Sequence, residues 1–265
     1  MNKKFAKELI HETLVKSISD FAEKAVKKKA NFQVLDLIIP RERKIRSVVG
    51  GLETSLGTTL WEPLAKVLAS HNGFEVIEDN LQCPTNMPGN LSSALNNIIE
   101  DRERRGGLYD AEASHKLIRD QCQVFINRPI NDFENAPRGK GVDIWLKKDE
   151  TNFFFDTKTV QPNLAALRSC LSQVLYWYAY FYAKNPQGKA ESRIVFPYNP
   201  YKQKGFWESI IGKGKPLEAH TEAWVENEFW DFCSGLDGTY TLIEQVFIEI
   251  QKSKVLEKKI EKMLS

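Results

Sequence analysis

The chain is poor in the residues that would mark a secreted, membrane-spanning or zinc-binding protein. Its 265 residues hold four cysteines, Cys83, Cys122, Cys170 and Cys233, far apart and without a CxxC pair. That spacing fits neither a disulfide framework nor a zinc module and predicts free thiols in a reducing compartment. Four scattered histidines, His11, His71, His115 and His220, give no histidine metal centre. No apolar run approaches the roughly 18–20 residues a membrane span requires. There is no internal repeat and no low-complexity tract. The start, MNKKFAKELIHETLVKS, is amphipathic and charged and lacks the apolar core and cleavage site of a signal peptide. A cytoplasmic protein without membrane association is expected.

Net charge is also small, at +2, but it is unevenly spread. Residues 1–50 carry twelve Lys/Arg against six Asp/Glu, and residues 184–215 carry seven against two. Residues 216–250 carry eight acidic side chains and no Lys or Arg. A basic face set against an acidic one suits a polyanionic partner, although solvated helix faces give the same pattern. With 42% hydrophobic residues the chain can bury a sizeable core.

Apolar residues at helical spacing predict a helix over residues 3–29. Pro40 breaks the stretch VLDLII, and Gly50-Gly51, Gly57 and Pro63 interrupt the helical pattern that follows. The helix resumes at Pro63 and ends at Asn72-Gly73, before a strand in FEVIE. Residues 80–92 read as a loop, 93–105 and 111–126 as helices, and NRPINDFENAPRGKG as a long polar loop. A hairpin follows, then a helix from Pro162-Asn163, a strand in ESRIVF, and two helices over 216–263. Together these predict a mixed α/β (α+β) fold, one sheet flanked by helices.

The hairpin GVDIWLKKDETNFFFDTKT carries the chemistry. A two-residue turn at Asp149-Glu150 makes paired positions sum to 299, so Asp143 lies opposite Asp156. With period two, Asp143, Asp156 and Lys158 share one face, while Val142, Ile144 and Leu146 take the other with Phe153 and Phe155. Two carboxylates about 5 Å apart across a strand pair repel each other. A divalent cation relieves that repulsion, and Mg²⁺ favours one or two carboxylates with water and phosphate oxygens. The structural alternative is Lys158 pairing with Asp156 or Asp143 at a wet sheet edge. The FFF run argues instead for a central strand, where unpaired charge is costly.

GVDIWL…FFFDTKT resembles the PD-(D/E)xK nuclease signature. Asp143 matches the first acid and Asp156-Thr157-Lys158 matches the D-x-K, while Gly141-Val142 stands where that signature has proline. GTTLWEPLAKVLASHNGFEV resembles the helix before the catalytic hairpin of type II restriction endonucleases. That likeness carries a helix glutamate onto Glu62, with Glu53 as a second candidate. Nine residues would place these two on opposite faces of one continuous helix. Gln173 with Trp177 departs from the Gln-x-x-x-Tyr of RecB-type repair nucleases, and the aromatics around them read as core.

The resemblance implies a single restriction-endonuclease-like domain with a catalytic core at about 57–200 and helical additions at 1–56 and 216–265. It implies hydrolysis of double-stranded DNA with Mg²⁺, for which Mn²⁺ can substitute, leaving a 5′-phosphate. Asp143, Asp156 and the Thr157 carbonyl would hold the metal. Lys158 would orient and help deprotonate the attacking water, and Glu62 would support a metal water or a second ion. Expected DNA contacts are Arg138 and Lys140 in NAPRGKG, and Asn199, Tyr201, Lys202 and Lys204 in FPYNPYKQKG. Further candidates are Arg46 in RERKIR and Gln161. A palindromic target implies a homodimer, and such a system includes a cognate DNA methyltransferase without direct contact. Alternatives are a repair or junction-resolving nuclease of the same superfamily and a catalytically inactive DNA-binding module.

Overall fold

The computed structural model describes residues 1–27, 34–201, 204–211 and 216–264. In chain order the elements are α1 (Lys3–Lys27), α2 (Pro40–Thr54), α3 (Glu62–His71), β1 (Glu75–Ile77), β2 (Gln82–Pro84), α4 (Gly89–Arg104), α5 (Ala111–Cys122), β3 (Phe133–Asn135), β4 (Ile144–Lys148), β5 (Thr151–Thr157), α6 (Leu164–Lys184), β6 (Lys189–Phe196), α7 (Phe206–Ile211), β7 (Ala223–Val225), α8 (Asn227–Ser234), α9 (Thr239–Ser253) and α10 (Val255–Leu264). Among the described residues no helix is long and apolar enough to cross a membrane. The fold is mixed α/β, as the order of elements predicts.

The chain divides into two compact units. One comprises Met1–Asn72 with Trp230–Ser265, and the other Gly73–Phe229. The helix carrying Glu62 therefore falls with the terminal helices rather than with the hairpin. In the terminal unit α1 buries Ala6, Ile10, Leu14 and Ala22, a stripe at helical spacing. It packs against α2, α3, α9 and α10. Trp61 lies against Trp230 and Phe247, with ring centroids 5.7 and 6.0 Å away.

The glycine pair does not interrupt α2, which runs through Gly50 and Gly51 to Thr54. A Cβ on Gly51 would stand 3.1 Å from Phe21 Cζ, so the missing side chain makes room for α1. Pro40 begins this helix, at the position where a missing N–H costs nothing. A π-type turn over Gly57–Trp61 then leads into α3.

The second unit is built on a five-stranded sheet in the order β1-β4-β5-β6-β7. β1, β4 and β5 are antiparallel neighbours, whereas β5, β6 and β7 run parallel. Parallel neighbours need a crossover, and α6 supplies the one between β5 and β6. The Asn163 side chain caps α6 by accepting from Ala166 N–H at 2.8 Å. The aromatics of α6 are core, as expected: Trp177, Tyr178, Phe181 and Tyr182 are all buried.

Three short strands depart from the sequence reading. β2 and β3 pair with each other inside segments read as loops. β7 lies where a helix is expected, with Ala223 and Val225 buried and Trp224 half-buried. Pairing with β6, Ile194 to Ala223 and Phe196 to Val225, holds it extended.

Candidate active site

The hairpin closes through Asp149 and Glu150, with Asp149 at φ +52°. Its register pairs Ile144 with Phe155, Trp145 with Phe154 and Lys148 with Thr151, the sum of 299. That pairing ends at Ile144 and Phe155, and Asp143 follows it out of step. Asp143 N–H donates to the Phe155 carbonyl at 3.1 Å, and its carboxylate Oδ2 accepts from Thr157 N–H at 3.2 Å.

Between the polar residues at its turn and its open end, both faces of the hairpin are apolar. Phe153 meets Phe74, and Phe155 meets Phe229, on one face. On the other, Trp145 packs on Phe154, and Phe154 on Phe181 of α6. Asp156 shares the second face, two residues beyond Phe154, and is 4% exposed. The carboxylates thus sit where the greasy stretch ends, under the amino-terminal half of the covering helix.

Lys158 compensates the buried charge. Its Nζ donates to Asp156 Oδ2 at 2.6 Å, and its N–H continues the parallel pairing to the Val195 carbonyl at 2.8 Å. Burial alone disfavours the ammonium. The charge and hydrogen bond of Asp156, helped by the Asp143 charge, outweigh it and raise the Lys158 pKa above its ordinary value. Cys170, on α6, remains a neutral thiol because burial pushes it up to about 11.

Asp143, Asp156 and the Thr157 carbonyl would offer a cation two carboxylates and a backbone carbonyl, without histidine or thiolate. Hard oxygen donors of this kind fit Mg²⁺ or Mn²⁺ and not a soft metal. Among the described residues no group of three or more His, Cys, Asp or Glu side chains gathers as a metal site. Any cation here would complete its shell with water and phosphate oxygens.

Asp156, Thr157 and Lys158 stand at the carboxyl end of β5, beside the end of its parallel neighbour β6, and a loop follows each strand. The two loops are tied together. Tyr198 Oη donates to the Thr159 carbonyl at 2.5 Å, and Gln161 Nε2 to the Pro200 carbonyl at 3.2 Å.

The family model of the HinfI type II restriction endonucleases matches residues 2–251. The chain belongs to that family. The match runs through both units, so most of the terminal helices are within the family's extent. The chain is also 26% identical over 217 residues to a type II restriction enzyme, MjaII, of Methanocaldococcus jannaschii. The alignment covers 78% of this chain and 55% of that relative, so the chain spans about half of the relative's length. No solved structure matches the chain.

Within this chain the structure brings together Asp143, Asp156, Thr157 and Lys158. Arg138 is exposed and Lys140 half-buried in the loop before Asp143. Asn199 is engaged inside its own loop. Its Oδ1 accepts from Tyr201 N–H at 2.9 Å and its Nδ2 donates to the Lys204 carbonyl at 2.8 Å. That amide shapes the loop, and reading a base with it would cost both bonds. Tyr201 packs on Phe206, Lys204 is exposed, and Lys202 lies outside the described residues. Glu62, half-buried at the start of α3, and the exposed Glu53 and Arg46 belong to the terminal unit. Sequence reasoning did not single out Glu226, whose Oε1 accepts from Asn199 N–H at 3.0 Å. No motif marks such a loop brace.

Proposed function

We propose that the chain is a sequence-specific endonuclease that hydrolyses phosphodiesters of double-stranded DNA in the presence of Mg²⁺. The observation that carries this reading is the meeting of Asp143, Asp156 and Lys158 at the open end of one hairpin, in a chain of the HinfI family. Asp143, Asp156 and the Thr157 carbonyl hold the cation, with Mn²⁺ able to replace Mg²⁺. When bound, that cation activates water and neutralises phosphate charge.

The other steps belong to the chain's own groups. Lys158 reaches Asp156 as an ammonium and is placed to orient the attacking water and offset charge on the phosphate. The buried Asp156 fixes where that ammonium stands. Arg138 and Lys140, just ahead of Asp143, contact backbone phosphates, as does Lys204. A twofold homodimer acting on a palindromic site, in a cytoplasm that also holds a protecting methyltransferase, completes the reading.

Digestion of a mapped plasmid with Mg²⁺ tests it. Discrete fragments whose 5′-phosphates allow direct religation are expected. A smear would indicate a repair or junction nuclease, and binding without any nick a DNA-binding module.

A further inference from the structure

The segment 137–141 delivers the chain into Asp143 and carries two cations. It is a tight turn, with Lys140 N–H donating to the Pro137 carbonyl at 2.8 Å and Gly139 at φ +78°. Arg138 at its tip is exposed. Neighbouring side chains on α6 reach this turn from beneath. Trp177 Nε1 donates to the Lys140 carbonyl at 2.9 Å, and Gln173 Nε2 to the Gly141 carbonyl at 3.4 Å. The Lys140 ammonium stands 5.8 Å above the Tyr176 ring.

Trp177 is wholly buried and Gln173 nearly so, at 0% and 6% exposure. A buried indole N–H requires an acceptor, and this one finds it in the backbone of a basic surface turn. Gln173 does the same one residue on. Two buried donors, one helical turn apart, therefore grip consecutive carbonyls of the segment that ends in Asp143. The ring of Tyr176 meanwhile favours an outward ammonium at Lys140.

We propose that Trp177 and Gln173 are positioning residues for DNA: they fix the backbone of the basic turn so that Arg138 and Lys140 meet phosphates beside Asp143. The inference rests on the proposed endonuclease reading. It gives a second role to a helix that otherwise serves as core.

The test is the salt dependence of binding to a short duplex of arbitrary sequence, measured by fluorescence anisotropy without divalent cation. Lys140→Ala should lower the slope of log K against log salt by about 1, the signature of one lost phosphate contact. Trp177→Phe keeps an aromatic ring and removes the N–H. It should lower the slope by a similar amount and weaken binding roughly tenfold at low salt. Trp177→Phe combined with Lys140→Ala should lose little beyond either alone, because both act through one turn. Gln173→Met offers the same readout if Trp177→Phe fails to fold.

A Trp177→Phe or Gln173→Met protein that melts earlier yet keeps the wild-type slope would overturn the proposal and leave these residues as core. A wild-type slope in Lys140→Ala and Arg138→Ala, from a protein that still cuts, would overturn it as well. Wild-type protein that neither binds nor cuts would instead overturn the endonuclease reading itself.

Discussion

Arg102 near the end of α4 is 8% exposed, and its guanidinium is bidentate to Glu222, at 3.0 and 2.5 Å. The same group donates to Ser114 Oγ on α5 at 3.2 Å and to the Pro216 carbonyl at 2.7 Å. Glu222 in turn accepts from Glu218 N–H at 2.9 Å, just before β7. Arg102→Met would strand a carboxylate that is 3% exposed. Removing one partner of a buried pair costs about 3–5 kcal/mol. For a unit of this size, each kcal/mol lowers the melting temperature by about 2–4 °C, so a fall of roughly 10 °C is expected. Replacing both charges with apolar groups removes the stranded ion, and Arg102→Met/Glu222→Met should recover most of the loss. Thermal melts of the two single variants and the double give the coupling directly, and it should exceed about 2 kcal/mol. Additive losses would refute the reasoning, because they would mean the two side chains do not depend on each other.

Three further outcomes follow. Burial, with Arg119 nearby, holds the His115 pKa down at about 4, so the unfolded chain binds a proton there that the folded chain refuses. Its contribution to stability is complete above about pH 6.5 and lost as pH falls toward 4, by up to about 3 kcal/mol. His115→Gln should flatten the melting temperature across that window, and an unchanged profile would contradict the assignment. Gly235 has φ +70°, and a Cβ there would stand 2.5 Å from Asn72 Oδ1. Gly235→Ala should therefore cost at least about 1 kcal/mol in a denaturant titration. Arg138→Ala should weaken duplex binding about equally for any sequence, and a selective loss at one site would make Arg138 a base reader instead.

The hairpin was legible because its signals are local. Two turn residues and a period of two set the register, and the pairs from Lys148 with Thr151 to Ile144 with Phe155 keep it. The helix cores were legible for the same reason, as the buried stripe Ala6, Ile10 and Leu14 shows. What stayed hidden depends on distant partners. Ala223-Trp224-Val225 is too short to show alternation, and pairing with β6 makes it a strand. Gly50-Gly51 reads as a break until Phe21 fills the space beside it. Asn199 reads as a candidate DNA contact, and its amide is also found bracing its own turn. Trp177 is core by pattern, and only the folded chain brings its N–H to the Lys140 carbonyl. Arg102 and Glu222, 120 residues apart, leave no trace in either local sequence.

The most direct test of the site is a comparison of Asp156→Ala and Lys158→Ala with wild type on one mapped plasmid, with cleavage and duplex binding measured side by side. Both variants should bind DNA and leave it uncut with Mg²⁺. Cutting by either at the wild-type rate would contradict a reaction centred on that carboxylate and its ammonium.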